Sequence, residues 1–270
     1  FYLIGETFMK RDAMQKLIEW KNSKLRKPLI VNGAMGVGKT WLMKQFGEDN
    51  YSKVAYISFH GNDRAKAIFD NGFDIKRIIL SLQIESKVTI APEDTLIILD
   101  DIHECPKTLE ALKYFCENAP EYHIACAGSL LGITLAKPSS FPVGKVNFLQ
   151  VNPMTFTEFL LANNDDSLVE FLKTIDSLEP IPQAFFNKLY EKLKMYYVTG
   201  GMPEPVQRWS EYNDVEAMEE SLASIITAYE RDFAKHPNIS EFPKISMIWK
   251  SIPSQLAREN KKICHWFRSN

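Results

Sequence analysis

Leu29-Ile30-Val31-Asn32-Gly33-Ala34-Met35-Gly36-Val37-Gly38-Lys39-Thr40-Trp41 is the stretch whose reading decides the fold. Pro28 to Val31 is a short apolar run closed by Asn32-Gly33, the profile of a strand buried on both faces, and Trp41-Leu42-Met43 then opens a helix. Between them stands Gly-x-x-x-x-Gly-Lys-Thr, the P-loop pattern. Its glycines let the chain curl so that successive backbone N–H groups point inward at phosphate oxygens. The lysine adds charge near the β and γ phosphates, and the threonine offers a hydroxyl to magnesium. The helix that begins after Gly38 adds its positive dipole end. A glycine-rich turn without a ligand is the bland alternative, and the strand before it and helix after it argue against that reading. The expected nucleotide site is therefore Gly33, Ala34, Met35, Gly36, Val37, Gly38, Lys39, Thr40 and Trp41.

Outward from this motif, strands and helices alternate. A helix over residues 8–20 precedes the first strand, and basic residues 21–27 read as a solvated connection. Residues 53–59 form a second strand, 74–87 a helix, 95–99 a third strand, 106–117 a helix with proline in its first turn, 122–127 a fourth strand and 146–151 a fifth. This alternation predicts an α/β fold: a parallel sheet with helices on both faces. From Asn152 the pattern is helical. Thr155 with Glu158 has the capping-box form and opens a helix over residues 156–161. Thr199-Gly200-Gly201-Met202-Pro203 is a turn, and residues 214–235 carry one apolar face of a long helix. The expected division is a P-loop core over 1–151, an all-α lid unit over 152–236, and over 237–270 the start of a further helical module, incomplete within the chain.

Leu96-Ile97-Ile98-Leu99-Asp100-Asp101 supplies the second chemical element. A buried strand ending in carboxylates delivers them to the carboxyl edge of the sheet, where open α/β folds bind ligands. Thr40 and Asp100 are thus the expected magnesium ligands, Asp100 through water, and Asp101 the group that acts on the attacking water; Glu104 is the competing carboxylate. Ser129, after the fourth strand, is a candidate to sense the γ-phosphate or orient water, and equally a helix cap. Lys39, Asp101 and Ser129 make up the expected catalytic set. Gly200-Gly201 is a candidate hinge about which the helical unit closes over nucleotide, bringing Arg208 or Arg231 toward the phosphates; a static turn is the alternative.

Composition narrows the class. The 270 residues are 45% apolar and 24% charged, with formal charge -2, so no overall basic field draws the chain to nucleic acid. No apolar run approaches the ~20 residues a bilayer needs, and no charged-then-apolar leader opens the chain, so no membrane partner and a cytoplasmic location are expected. The four cysteines lack Cys-x-x-Cys spacing, and His103 with Cys105 has no second pair to complete a tetrahedral site.

The chain resembles the P-loop ATPases of bacteria and archaea that pair an AAA-type core with a helical lid and a poorly characterised C-terminal domain. Lys10-Arg11, Gly33 to Thr40, Leu99-Asp100-Asp101-Ile102-His103-Glu104-Cys105-Pro106, Gly128-Ser129, Asn152-Pro153-Met154-Thr155-Phe156-Thr157-Glu158-Phe159, Gly200-Gly201-Met202-Pro203, and Tyr229 with Asp232 carry the resemblance. It implies a five-stranded P-loop NTPase sheet of order 5-1-4-3-2, ATP as ligand, and coupling to an unidentified protein partner or appended domain. Three departures stand out. Asp101 replaces a glutamate, Met35 and Gly36 replace a frequent arginine and glutamine, and Gly144-Lys145 replaces a Gly-Arg pair; the first and third imply slow hydrolysis. Nucleic acid is expected only through the C-terminal module, whose residues 261–268 are basic and aromatic. The expected function is a magnesium-dependent ATPase that moves its helical unit. The alternatives are a slow ATP-dependent switch or adaptor and a P-loop small-molecule kinase; a GTPase is disfavoured because no Asn-Lys-x-Asp motif occurs.

Overall fold

The computed structural model describes residues 9–128, 142–176, 180–235 and 242–257. Five parallel strands form its centre: β1 (Leu29–Asn32), β2 (Lys53–Ser58), β3 (Thr95–Asp100), β4 (His123–Ala127) and β5 (Asn147–Gln150), ordered β2-β3-β4-β1-β5. This is the order anticipated above, read from the opposite edge. β4, not β2, separates the P-loop strand from β3.

Strand periodicity explains the two faces. Leu29, Val31, Leu96, Ile98, Ala125 and Ala127 point to one side, where they pack against Leu17 and Trp20 of α1 (Asp12–Asn22) and Leu42, Met43 and Phe46 of α2 (Lys39–Asn50). Ile30, Ile57, Ile97, Leu99, Ile124 and Cys126 point to the other. There they meet α3 (Asp63–Ala67), α4 (Ile75–Ser86) and α5 (Lys107–Asn118) through Ala65, Ile78, Leu82, Leu112 and Phe115. A continuous apolar run such as residues 96–99 is thus two alternating sets, each burying side chains worth about 2 kcal/mol apiece.

Local departures from the sequence reading have local causes. Met9 to Arg11 are not helical, and α1 starts at Asp12, because Arg11 adopts extended backbone (φ -122°, ψ 129°) to turn its side chain inward. The short α3 is an addition, nucleated by Asn62, whose side chain accepts the Ala65 N–H at 3.1 Å. The connection at residues 21–27 is exposed over 22–25, as expected, and its cations also anchor it: Lys21 donates to Asn50 O, Arg26 to Pro120 O and Lys27 to Gly144 O.

After β5 come α6 (Phe156–Ala162), α7 (Asp166–Lys173), α8 (Gln183–Thr199) and α9 (Pro203–Tyr212). The capping box at Thr155 and Glu158 is formed in both directions. Phe159, Met154 and Val206 are buried together, with Tyr196 and Trp209 against them. Packing divides the chain into two compact units, Phe1–Asp214 and Val215–Asn270. The second holds α10 (Val215–Lys235) and α11 (Phe242–Leu256), joined by Tyr229, Phe233 and Trp249. Among the described residues no helix is long and apolar enough to cross a membrane.

His123, buried at the amino end of β4, exchanges a hydrogen bond of 2.6 Å between Nδ1 and the Tyr51 hydroxyl. Burial pushes its imidazole down to about 4, and the charges of Arg26 and Lys21 act the same way. Its folded value lies below its unfolded one, so the unfolded chain binds the proton more readily and stability is lost as pH falls from 6.5 toward 4. The parent's melting midpoint is expected to drop across that window more steeply than that of His123→Gln, which keeps an acceptor for Tyr51. Parallel pH slopes would remove His123 from the acid sensitivity.

Candidate nucleotide site

The loop between β1 and α2 needs its glycines for separate reasons. Gly36 and Gly38 have φ of 84° and 86°, the left-handed region that side chains rarely adopt. Gly33 instead lies against the chain leaving β5: a Cβ there would stand 2.4 Å from Val151 O. Lys39 folds back over the loop, its Nζ donating to Gly33 O at 3.0 Å and Ala34 O at 2.8 Å. Burial holds the Lys39 ammonium below its usual range, opposed by the nearby carboxylates of Asp100 and Asp101. Trp41 is exposed on the first turn of α2, and Met35 is half-buried.

β3 brings Asp100 to the same place. Its side chain lies on the α2 face, 5% exposed, and Oδ2 accepts from the Thr40 hydroxyl at 2.7 Å. The same oxygen accepts from the Tyr56 hydroxyl at 3.1 Å, while Oδ1 accepts the Asp101 N–H at 3.0 Å. Asp101 itself stands just beyond the strand in left-handed backbone (φ 56°, ψ 39°), where aspartate is among the few tolerated residues. Its Oδ2 accepts from Ser58 Oγ at 3.1 Å. Thr40 and Asp100 are hard oxygen donors beside the Gly33–Lys39 loop, the donor set magnesium takes when phosphates and water supply its remaining ligands.

Glu104 is differently employed. His60 Nδ1 lies 2.6 Å from Oε1 and Lys66 Nζ 2.8 Å from Oε2. Desolvation alone would raise its pKa, but the hydrogen bonds and charges of Lys66 and His60 prevail and hold the carboxyl at about 2. With both oxygens occupied, Glu104 is a weaker proton acceptor than its position suggested. Ser129 lies outside the described residues, as do residues 261–268. Arg208 is on α9, 3.9 Å from Glu204; Arg231 is on α10, in the second unit. Lys145 is paired with Glu117 at 2.8 Å.

Two contributors were given no role at the site by the sequence. Arg11, 3% exposed, donates from Nε to Glu158 Oε1 at 3.1 Å, from Nη1 to Val37 O in the P-loop at 3.0 Å and from Nη2 to Asn152 O at 2.7 Å. Arg11 and Glu158 are both among the residues that carry the family resemblance, and Glu158 is also a cap, but a pairing across 147 residues leaves no local signal of their contact. Tyr56 is the other, marked in sequence only by lying two residues before the end of β2.

Residues 25–160, half of the chain, match the family profile described as AAA domain, and residues 190–263 match one described as a domain of unknown function (DUF8612). A search of curated proteins found no match. Among solved structures, the chain is similar to Drosophila ORC bound to DNA, with 16% identity, a TM-score of 0.46 and coverage of 92% of this chain and 73% of that one. It is also similar to the Thermotoga maritima RuvB Holliday junction branch migration motor, with 13% identity, a TM-score of 0.44 and coverage of 84% and 76%. The Aeropyrum pernix ORC1 protein in complex with DNA matches with 13% identity, a TM-score of 0.37 and coverage of 97% and 82%.

The buried pair at Arg11 sets a measurable expectation. Arg11→Met leaves the Glu158 carboxylate, 4% exposed, without its counter-charge, which costs about 3–5 kcal/mol where such pairs are broken from one side. Denaturant unfolding is expected to show a loss of that size; a change under about 1 kcal/mol, the worth of a surface pair, would show that the contact is incidental.

Proposed function

The chain belongs to the AAA domain family of P-loop ATPases, and from that premise we propose a magnesium-dependent ATP hydrolase with slow basal turnover that works on an unidentified protein partner. The observation that carries the reading is the 2.7 Å hydrogen bond from Thr40 to Asp100, formed between α2 and β3 at the mouth of the Lys39 loop. Two residues distant in sequence meet there in the arrangement that a phosphate-bound cation requires.

In this reading Gly33 to Thr40 enclose the phosphates, and Lys39 leaves the Gly33 and Ala34 carbonyls for the β and γ oxygens. Thr40 and Asp100 hold the magnesium site, where the chemistry supplied is neutralisation of charge on the phosphate oxygens. Asp101 takes a proton from water as the water oxygen bonds to the γ-phosphorus and the bond to the β-bridging oxygen breaks, giving ADP and phosphate. Its arm is one methylene shorter than a glutamate's, and misalignment of about 1 Å costs on the order of a hundredfold in rate. Ser129 is proposed to orient water or sense the γ-phosphate. Closure of the helical unit over residues 152–236, with Arg208 as the nearer cation in sequence to the turn, is the proposed output.

A nucleotide switch with negligible turnover is the second reading, favoured by one observation: the Asp101 carboxylate already receives Ser58. The small-molecule kinase reading has no such support. Isothermal calorimetry and multiple-turnover phosphate release separate these cases. Lys39→Ala is expected to abolish ATP binding. Asp101→Asn should retain binding and lose about a hundredfold or more of turnover, while Glu104→Gln stays within about threefold of the parent, the range of an exposed-pair change. Equal turnover in Asp101→Asn with loss in Glu104→Gln would transfer the base to Glu104; no effect of either would favour the switch.

A further inference from the structure

Tyr56 occupies a position that strand geometry makes productive. β2 pairs with β3 so that Tyr56 lies beside Ile98 and Ser58 beside Asp100, and side chains at 98 and 100 share the α2 face. Tyr56 is therefore on the same face as the Asp100 carboxylate but one pleat repeat, about 6.6 Å, short of it along the strand. A phenol is the side chain long enough to cover that gap, and its hydroxyl ends 3.1 Å from Oδ2. Ser58, directly opposite Asp100, turns to Asp101 instead. From the helix side, Lys44 stands one turn beyond Thr40, with Nζ 3.6 Å over the Tyr56 ring. Successive turns of α2 thus reach the same carboxylate, Thr40 directly and Lys44 through the ring.

We propose that Tyr56 is a positioning residue for the magnesium site, holding Asp100 Oδ2 in the orientation the cation needs while Lys44 fixes the ring. This rests on the reading of Thr40 and Asp100 as the magnesium ligands. A Thr40 hydroxyl that gives a lone pair to a cation keeps its O–H for Oδ2, but a single hydrogen bond leaves the carboxylate free to turn about it, and the second donor on Oδ2 removes that freedom. The Asp101 N–H does the same for Oδ1. A tyrosine that only filled the half-buried strand face would be replaceable by phenylalanine at no cost to cation binding. One that orients the ligand would not, since partners of metal ligands contribute about tenfold or more to metal affinity.

The test measures binding of fluorescent ADP and of ATP at equilibrium, once in EDTA and once across a MgCl2 titration, for the parent, Tyr56→Phe and Tyr51→Phe. Tyr51 loses the same hydroxyl at the opposite edge of the sheet, where its partner is His123. The expected result is unchanged affinity in EDTA for both variants, and for Tyr56→Phe alone about a tenfold rise in the magnesium concentration at half effect. Manganese titration followed by electron paramagnetic resonance should show the same shift. An unchanged magnesium dependence overturns the proposal, and so does an equal loss in EDTA, which marks a structural role. Should Tyr56→Phe fail to fold, Lys44→Met carries the same expectation at about threefold, the size of a ring–cation contact, and its failure to shift the titration is equally decisive. Lys39→Ala run alongside separates the two levels: retained nucleotide binding there defeats the site reading itself, whereas its loss with an unshifted Tyr56→Phe defeats only the role of Tyr56.

Discussion

A loop that turns its N–H groups inward to meet phosphate must turn carbonyls outward, and these need partners. Arg11 meets that demand for Val37 O, and Glu158 makes it possible for a guanidinium to be buried there. Glu158 accepts the Arg11 side chain and the Asp12 N–H on one oxygen and the Thr155 N–H on the other. With every group bonded, a pair of charges costly in isolation becomes a joint among the start of α1, the P-loop and the exit from β5. Lys39 meets the same demand for Gly33 O and Ala34 O. The two differ in burial: Lys39 is half-buried, whereas Arg11, enclosed, belongs to the frame.

That frame was only partly legible in the sequence. Signals repeating over one element read well. Alternation in residues 96–99 gave a strand buried on both sides, and the Gly-x-x-x-x-Gly-Lys-Thr spacing gave the loop and its helix. Thr155 and Glu158 gave a cap because a capping box is a contact between residues three apart. Contacts between distant residues carry no such signature. Arg11 with Glu158, and Tyr56 with Asp100, are decided by which strands and helices become neighbours, which no single-element pattern encodes. The same limit hid the anchoring of the exposed connection at residues 21–27, where Lys21, Arg26 and Lys27 reach the carbonyls of Asn50, Pro120 and Gly144.

The paired carboxylates at the end of β3 show how one residue changes a role. Asp100 ends the strand in regular alternation and so faces α2 and the Thr40 hydroxyl. Asp101 has left the strand in a left-handed conformation, and its carboxylate meets Ser58 instead. Neighbours in sequence thereby meet different partners through backbone geometry. Three residues on, Glu104 has been drawn into an ion pair with Lys66 and His60, which leaves Asp101 as the carboxylate with fewer cationic partners next to the loop.

Adjacent glycines after α8 divide in the same manner. Gly201 is needed for contact: a Cβ there would lie 2.6 Å from Met154 O, and Gly201 O receives the Met154 N–H at 2.6 Å. The Tyr196 hydroxyl holds Met154 O from the other side at 2.7 Å, and Pro203 follows so closely that its Cγ would stand 3.4 Å from a Cβ on Gly38. Gly200 has left-handed φ of 65° and open space around its Cα. The backbone freedom of this turn therefore sits at Gly200, while Gly201 and Pro203 hold the start of α9 against Met154 and the phosphate loop. Rotation at Gly201 would first have to break its hydrogen bond to Met154, so the pivot and the contact are adjacent but separate residues. A turn can in this way stay packed on the P-loop while its backbone freedom sits one residue earlier.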